Sequence, residues 1–313
     1  IADSLNRRFG SAVSPDMIYM TAGAAASLTI TLNALAEDGD EFVLLAPYFP
    51  EYAVFVTSAG AKPVVVPFDE KTFAPDLEAF EKAITPKVKG VIVNSPNNPS
   101  GAVYDGATLE KLCGVLKKKS AEFGRPVVLI ADEPYREIVY GDVEVPFLPN
   151  LYSDTVVCYS YSKSLSLPGE RIGYIAIAPD MTAGKEIYAA VCGAGRALGY
   201  VCAPSPFQKV VAKCVDARPD IAAYERNRNL IYGALTEMGY TCVRPDGAFY
   251  LFVKALEEDA NAFADRAKRL GLLIVPGDDF GAKGWVRVSY CVSYDMIERS
   301  LPAFRELMAS YKA

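Results

Sequence analysis

An α/β fold, with a mainly parallel seven-stranded sheet sandwiched by helices and a smaller α+β domain after it, is predicted by three features of this sequence. Seven short, apolar, β-branched runs recur between positions 17 and 178. Helical patterns separate several of them, as in βα units. After Pro204 the texture changes to a long charged helical stretch and then to shorter mixed elements.

The runs are MIYM (17 to 20), EFVLLA (41 to 46), KPVVV (62 to 66), GVIVN (90 to 94), VVLIA (127 to 131), TVVCYS (155 to 160) and YIAIA (174 to 178). Most are continuous rather than alternating, which is expected of strands covered on both faces. Helical spacing occupies 24 to 36, 76 to 84 and 107 to 123. The charged stretch after Pro204 continues to Met238, broken or kinked at Pro219, with Gly239 as its stop. It reads as a connector. Beyond it, strand patterns fall at 240 to 243, 248 to 253, 272 to 275 and 285 to 290, with helices near 258 to 270 and 294 to 310. The division drawn is a larger domain at 1–208 and a connecting helix plus small domain at 209–313. Ile1, Leu5 and Phe9 form one apolar helical face at the start.

Composition narrows the chemistry. A net charge of -6 disfavours nucleic acid or anionic membrane as partner. Histidine is absent, which excludes the serine triad, the cysteine-histidine dyad and histidine-bound metal. Lysine, carboxylates, tyrosine and cofactors remain. The seven cysteines are odd in number, widely spaced and without a CxxC pair, and read as buried free thiols of a cytoplasmic protein. No run approaches the roughly 18 apolar residues of a membrane span.

The segment SYSKSLSLPGERIGY (160 to 174) carries the most information. A strand rich in Val and Tyr ends in a Ser-rich loop that presents Lys163, with Arg171 eight positions later. An amine so placed can act as a nucleophile beside an anion site; a lone loop lysine would simply be solvated. Upstream, VLIADEPYREI sets Asp132 at the end of a buried strand, where a carboxylate is costly without a cationic partner unless it only caps a turn. Arg287 lies in the apolar strand pattern WVRVSY and needs an anion, either a substrate carboxylate or an internal Asp or Glu. The heptapeptide GAGRALG (193 to 199) lacks GxGxxG spacing and a preceding strand, so dinucleotide binding is disfavoured.

SYSK followed by GERIGY resembles the cofactor-lysine signature of the fold-type I aminotransferases, the class I and II superfamily of aspartate aminotransferase. VIVNSPNNPSGAVY, MTAGAAAS, APYFPEY, GAFY and PGDDFG are similar to further family segments in the same order. The resemblance implies pyridoxal 5'-phosphate carried as a Schiff base on Lys163, its phosphate held by Ser160, Arg171 and the amides of Ala24 and Ala25. The side-chain contacts of members with Ser or Gln at those two alanines are lost here. It implies Asp132 at the ring nitrogen, Tyr135 and Asn98 at the phenolic oxygen, Phe49 stacked on the ring (with Tyr48 or Tyr52 as alternatives) and Arg287 at the substrate carboxylate. Asn94 and Asn97 are less favoured than Asn98.

The implied reaction is ping-pong transfer of an amino group from an L-amino acid to a 2-oxo acid, with Lys163 moving the α-proton. The rivals are a lyase, decarboxylase or racemase of the same fold, and a non-catalytic cofactor-binding regulatory domain. A cytoplasmic homodimer with active sites at the interface is expected, without metal. Family members also carry a segment ahead of this start, so the helix from Ile1 to Phe9 is expected to be the remnant of a longer N-terminal element.

Overall fold

The computed structural model describes residues 1–312. Helix α1 (Ala2–Phe9) leads to β1 (Ile18–Thr21), α2 (Ala24–Leu35), β2 (Glu41–Leu45), α3 (Glu51–Ser58), β3 (Lys62–Val66), α4 (Leu77–Ala83) and β4 (Val88–Asn94). Next come α5 (Gly106–Phe123), β5 (Val128–Asp132), β6 (Thr155–Ser160), the single turn α6 (Tyr161–Ser164) and β7 (Gly173–Ile177). Helices α7 (Gly184–Ala197), α8 (Ser205–Cys214) and α9 (Ile221–Met238) precede β8 (Tyr250–Lys254), α10 (Ala260–Arg269), β9 (Val275–Pro276), β10 (Trp285–Ser289) and α11 (Tyr294–Ala309).

All seven expected strands form one sheet in the order β1-β7-β6-β5-β4-β2-β3. Strands β3, β2, β4, β5 and β6 run parallel, and β7 is antiparallel to both its neighbours. Alternate residues of the central strands feed two cores. Val91, Leu129 and Val157 face Leu109, Leu112 and Leu116 of α5, while Ile92, Ile130 and Val156 join Leu28, Ile30 and Leu32 of α2. Each such aliphatic side chain contributes about 1.5–3 kcal/mol on burial, so the sandwich fixes the strand ends firmly. In the parallel part those ends lie on one edge: Asn94, Asp132 and Ser160 close β4, β5 and β6.

The second, three-stranded antiparallel sheet has the order β8-β10-β9. Leu251, Val253, Val286 and Val288 pack there against Leu235 of α9, Phe263 of α10 and Leu307 of α11. Helix α1 lies on the larger core through Leu5; Phe9 stacks on Phe147 at 4.7 Å, and Ser4 and Arg7 both bond Asp216.

Several expectations need correction. KPVVV is an edge strand with β2 as its neighbour, so Lys62, Pro63 and Val65 are exposed rather than covered on both faces. The run at 240 to 243 makes only an isolated bridge, Cys242 to Val253, because the chain then turns so that the amides of Asp246 and Gly247 reach Gly101 O. Of the run at 272 to 275 only Val275 is strand, paired in β9 with Pro276, since Leu272 N still bonds back to Ala267 O at the end of α10. The break expected at Pro219 is present, so the connector is two helices, with Asp220 capping the second by accepting from Ala223 N. Of the cysteines only Cys113 and Cys158 are buried, while Cys202 and Cys291 are exposed. Among the described residues no helix is long and apolar enough to cross a membrane.

Candidate functional site

All ten candidate residues line a single cleft of about 300 Å³ at the carboxyl edge of the parallel strands, the edge where such sheets bind ligands. Among the described residues no group of metal-ligating side chains occurs. A larger hollow of about 690 Å³ between α9 and α11 contains none of the ten.

At one end of the cleft Gly23 opens α2 with φ 86° and no side-chain cap, leaving the amides of Ala24 and Ala25 at the positive end of a 12-residue helix. The guanidinium of Arg171 lies so close that a Cβ on Gly23 would sit 2.7 Å from its Nη2. Arg171 Nη1 donates to Pro168 O at 2.8 Å. Ser160 Oγ accepts from Ser162 N and lies 2.8 Å from Ser162 Oγ, so two hydroxyls and one arginine converge on the helix start. This is an anion cradle.

On the floor, Asp132 is buried, and one carboxylate oxygen, Oδ2, accepts from the hydroxyl of Tyr52 and from Asn94 Nδ2 at 3.5 Å. The other oxygen, Oδ1, is buried with no partner. Burial pushes the acid up to about 7, against the lowering effect of the Tyr52 hydrogen bond. Tyr135, also buried, pairs its hydroxyl with that of Tyr250 at 3.0 Å. Its phenol is held well above the ordinary range by burial first and by Tyr250 next.

Lys163 stands on α6, its Nζ 5.3 Å from the centre of the Phe249 ring. Burial lowers its pKa; Arg171 and Arg287 add to this while Cys291 opposes it. Across the cleft Arg287 Nη1 donates to Asn98 Oδ1 at 2.8 Å, and its plane lies over Tyr250 and Phe280. Its Nε is buried without a partner. Among the described residues no carboxylate pairs with Lys163, Arg171 or Arg287, so the internal ion pair weighed for Arg287 does not form.

Phe49 faces the cleft, whereas Tyr48 packs toward Gly281 and does not line it. Tyr52, weighed as a stacking ring, instead turns inward to Asp132. Asn94 bonds the backbone O of Asp132 at 2.9 Å and accepts from Asn98 N at 2.8 Å, while Asn97 ties Pro47 and Ser100. The role of Tyr52 at Asp132 and the presence of Ser162 beside Ser160 went unread. For Tyr52 the available signal was its place three residues after Phe49, one helical turn away.

The sequence matches the family described as aminotransferase class I and II over residues 1–304. It is 30% identical to aromatic-amino-acid aminotransferase 2 of Thermococcus litoralis, covering all of this chain and 81% of that protein. It is 31% identical to the aspartate/prephenate aminotransferase of Thermus thermophilus, over 98% of this chain and 80% of that one. Among solved structures, an amino transferase from Eubacterium rectale superposes with a TM-score of 0.97 at 57% identity, covering all of this chain and 79% of that chain. Aspartate aminotransferase of Thermotoga maritima gives 0.89 at 29% identity, over 98% and 80%.

Proposed function

From the premise that this chain belongs to the aminotransferase class I and II family, and is a pyridoxal-phosphate-dependent transaminase of the fold-type I kind, we propose the residues that do the work. The family match leaves the lyase and regulatory readings without support. The observation that carries the assignment is a fit of charges: an unpartnered buried oxygen on Asp132, a lysine without a counter-ion and an anion cradle, all in one cleft.

Bound pyridoxal phosphate supplies an aldehyde that takes up amino groups and a ring that withdraws electrons from the substrate α-carbon. Asp132 Oδ1, free of other partners, would accept from the ring N–H and favour its protonated form. Arg171, Ser160 and the amides of Ala24 and Ala25 would hold the phosphate, Tyr135 and Asn98 the phenolic oxygen, and Phe49 would cover the ring. Lys163 Nζ would hold the cofactor covalently and, once a substrate amine has displaced it and left it as the free amine, would take the α-proton and return it. Its lowered pKa leaves more free amine for that transfer near neutrality. Arg287, already aligned by Asn98, grips the α-carboxylate by its two-pronged face. Two half-reactions of this kind make a ping-pong transfer between an L-amino acid and a 2-oxo acid.

Carried over from the same family are a homodimer with the cleft at the subunit interface and a cytoplasmic location, while the domain division at 1–208 and 209–313 is the one drawn from the sequence. The core around the second sheet, drawn mostly from residues after 220 with Tyr135, Ile138 and Tyr140 added, supports a separate small domain. Borohydride treatment of the cofactor-loaded protein, followed by peptide mapping, tests the central assignment. The modified peptide is expected to contain Lys163; recovery at any other lysine overturns it.

A further inference from the structure

Tyr52 is a buried phenol set in the first turn of α3, three residues after Phe49, whose ring it meets edge-on at 5.6 Å. Its hydroxyl reaches across to β5 and donates to Asp132 Oδ2. The other groups facing Asp132 are Asn94 from β4, Tyr135 from the turn after β5 and Cys158 from β6. Of these, Asn94 reaches Oδ2 only at 3.5 Å, and none bonds Oδ1. Oδ2 is therefore fastened chiefly by Tyr52, and Oδ1 is the oxygen left free.

We infer that Tyr52 is a positioning residue for the amino-transfer reaction: its hydroxyl anchors Asp132 Oδ2, keeps the buried carboxylate ionised and aims Oδ1 at the cofactor ring. This rests on the assignment of Asp132 to the ring nitrogen. The physical argument has two parts. A carboxylate at this depth lacks solvent to stabilise its charge, and the hydrogen bond that Tyr52 donates to the charged form favours ionisation. With one oxygen pinned, rotation about the Cβ–Cγ bond is restricted, so the free oxygen keeps a single direction. Tyr52 remains a donor throughout, because burial and the adjacent Asp132 raise its own pKa well above the ordinary phenol value.

The sign of the effect follows. Removing the hydroxyl removes a contribution that lowers the Asp132 pKa, so the carboxylate becomes protonated at a higher pH. Holoenzyme carrying Tyr52→Phe, which keeps the ring and its packing, should show the acid limb of its cofactor-absorption titration moved upward by roughly one unit. The single-turnover rate with an amino donor should fall on the same limb, and the thermal midpoint of the apoprotein reports whether the fold survives. Asp132→Asn and the double variant complete a cycle. In the Asp132→Asn background Tyr52→Phe should have almost no further effect on spectrum or rate. An unmoved titration in Tyr52→Phe, with Asp132→Asn strongly altered, overturns the role of Tyr52 alone. So does a Tyr52→Phe effect of equal size in both backgrounds. If Asp132→Asn itself leaves the spectrum and the half-reaction unchanged, the ring-nitrogen assignment and this inference fall together.

Discussion

Replacing Gly23 by alanine should damage the anion cradle twice over. Its backbone lies at φ 86°, ψ 174°, a region open essentially to glycine, and holding an L residue there costs on the order of 1–3 kcal/mol. The new Cβ would also stand 2.7 Å from Arg171 Nη2 and 3.1 Å from its Cζ, well inside van der Waals contact, so the guanidinium must move. To move, the Arg171 guanidinium would have to give up the bond from Nη1 to Pro168 O and its place beside the start of α2. Loss of one charge-assisted bond to a phosphate is worth about 1.5–3 kcal/mol, or roughly 10- to 150-fold in affinity. The assay is titration of the apoprotein with pyridoxal phosphate, followed by its visible absorption, beside a thermal unfolding scan without cofactor. Gly23→Ala should weaken the cofactor by that factor and lower the apoprotein midpoint by a few degrees. Arg171→Gln, which leaves the backbone alone, should weaken the cofactor without the thermal loss. Parental affinity together with a parental midpoint in Gly23→Ala would refute the reasoning.

Two further substitutions probe other parts of the molecule. Arg287→Lys should raise KM for amino-acid donors by roughly 10- to 150-fold, because an ammonium cannot reproduce the fork, yet leave cofactor affinity as it was; steady-state kinetics with donors that lack a carboxylate provide the control, and an equal loss on both donor types would make Arg287 structural. Arg136→Met should destabilise the protein by about 3–5 kcal/mol, since it strands the buried carboxylate of Glu133, whereas adding Glu133→Gln should recover part of that loss in urea unfolding. A strictly additive double variant would deny the pairing.

The seven strands of the larger sheet were readable because burial on both faces demands unbroken apolar runs, a pattern few helices imitate. Helix α3 escaped notice: its sequence EYAVFVTS is apolar and β-branched, and only its packing beneath the cleft makes it helical. Helix α7 was hidden by two internal glycines, Gly193 and Gly195, the second of which lies against the hydroxyl of Tyr19. Site residues joined by short spacing, such as Ser160, Lys163 and Arg171, could be grouped from the sequence. The bond from Tyr52 to Asp132 joins residues 80 apart, and the bond from Arg287 to Asn98 joins residues 189 apart. Neither has a local pattern, because each depends on where two separately folded elements come to rest.

The floor of the cleft is built from strand ends whose partners are fixed residue by residue: Asn94 stands beside Asp132, and Asp132 beside Cys158. A one-residue slip in a strand turns every side chain to the opposite face. Deleting a residue within β5 would therefore rotate Asp132 out of the cleft, and it would also exchange Leu129 and Ile130 between the two cores. Selection for a folded sheet and selection for a working carboxylate thus act on the same register. An insertion or deletion in this strand would therefore cost the fold as well as the carboxylate, whereas one in a connecting segment beyond the sheet would leave this register as it is.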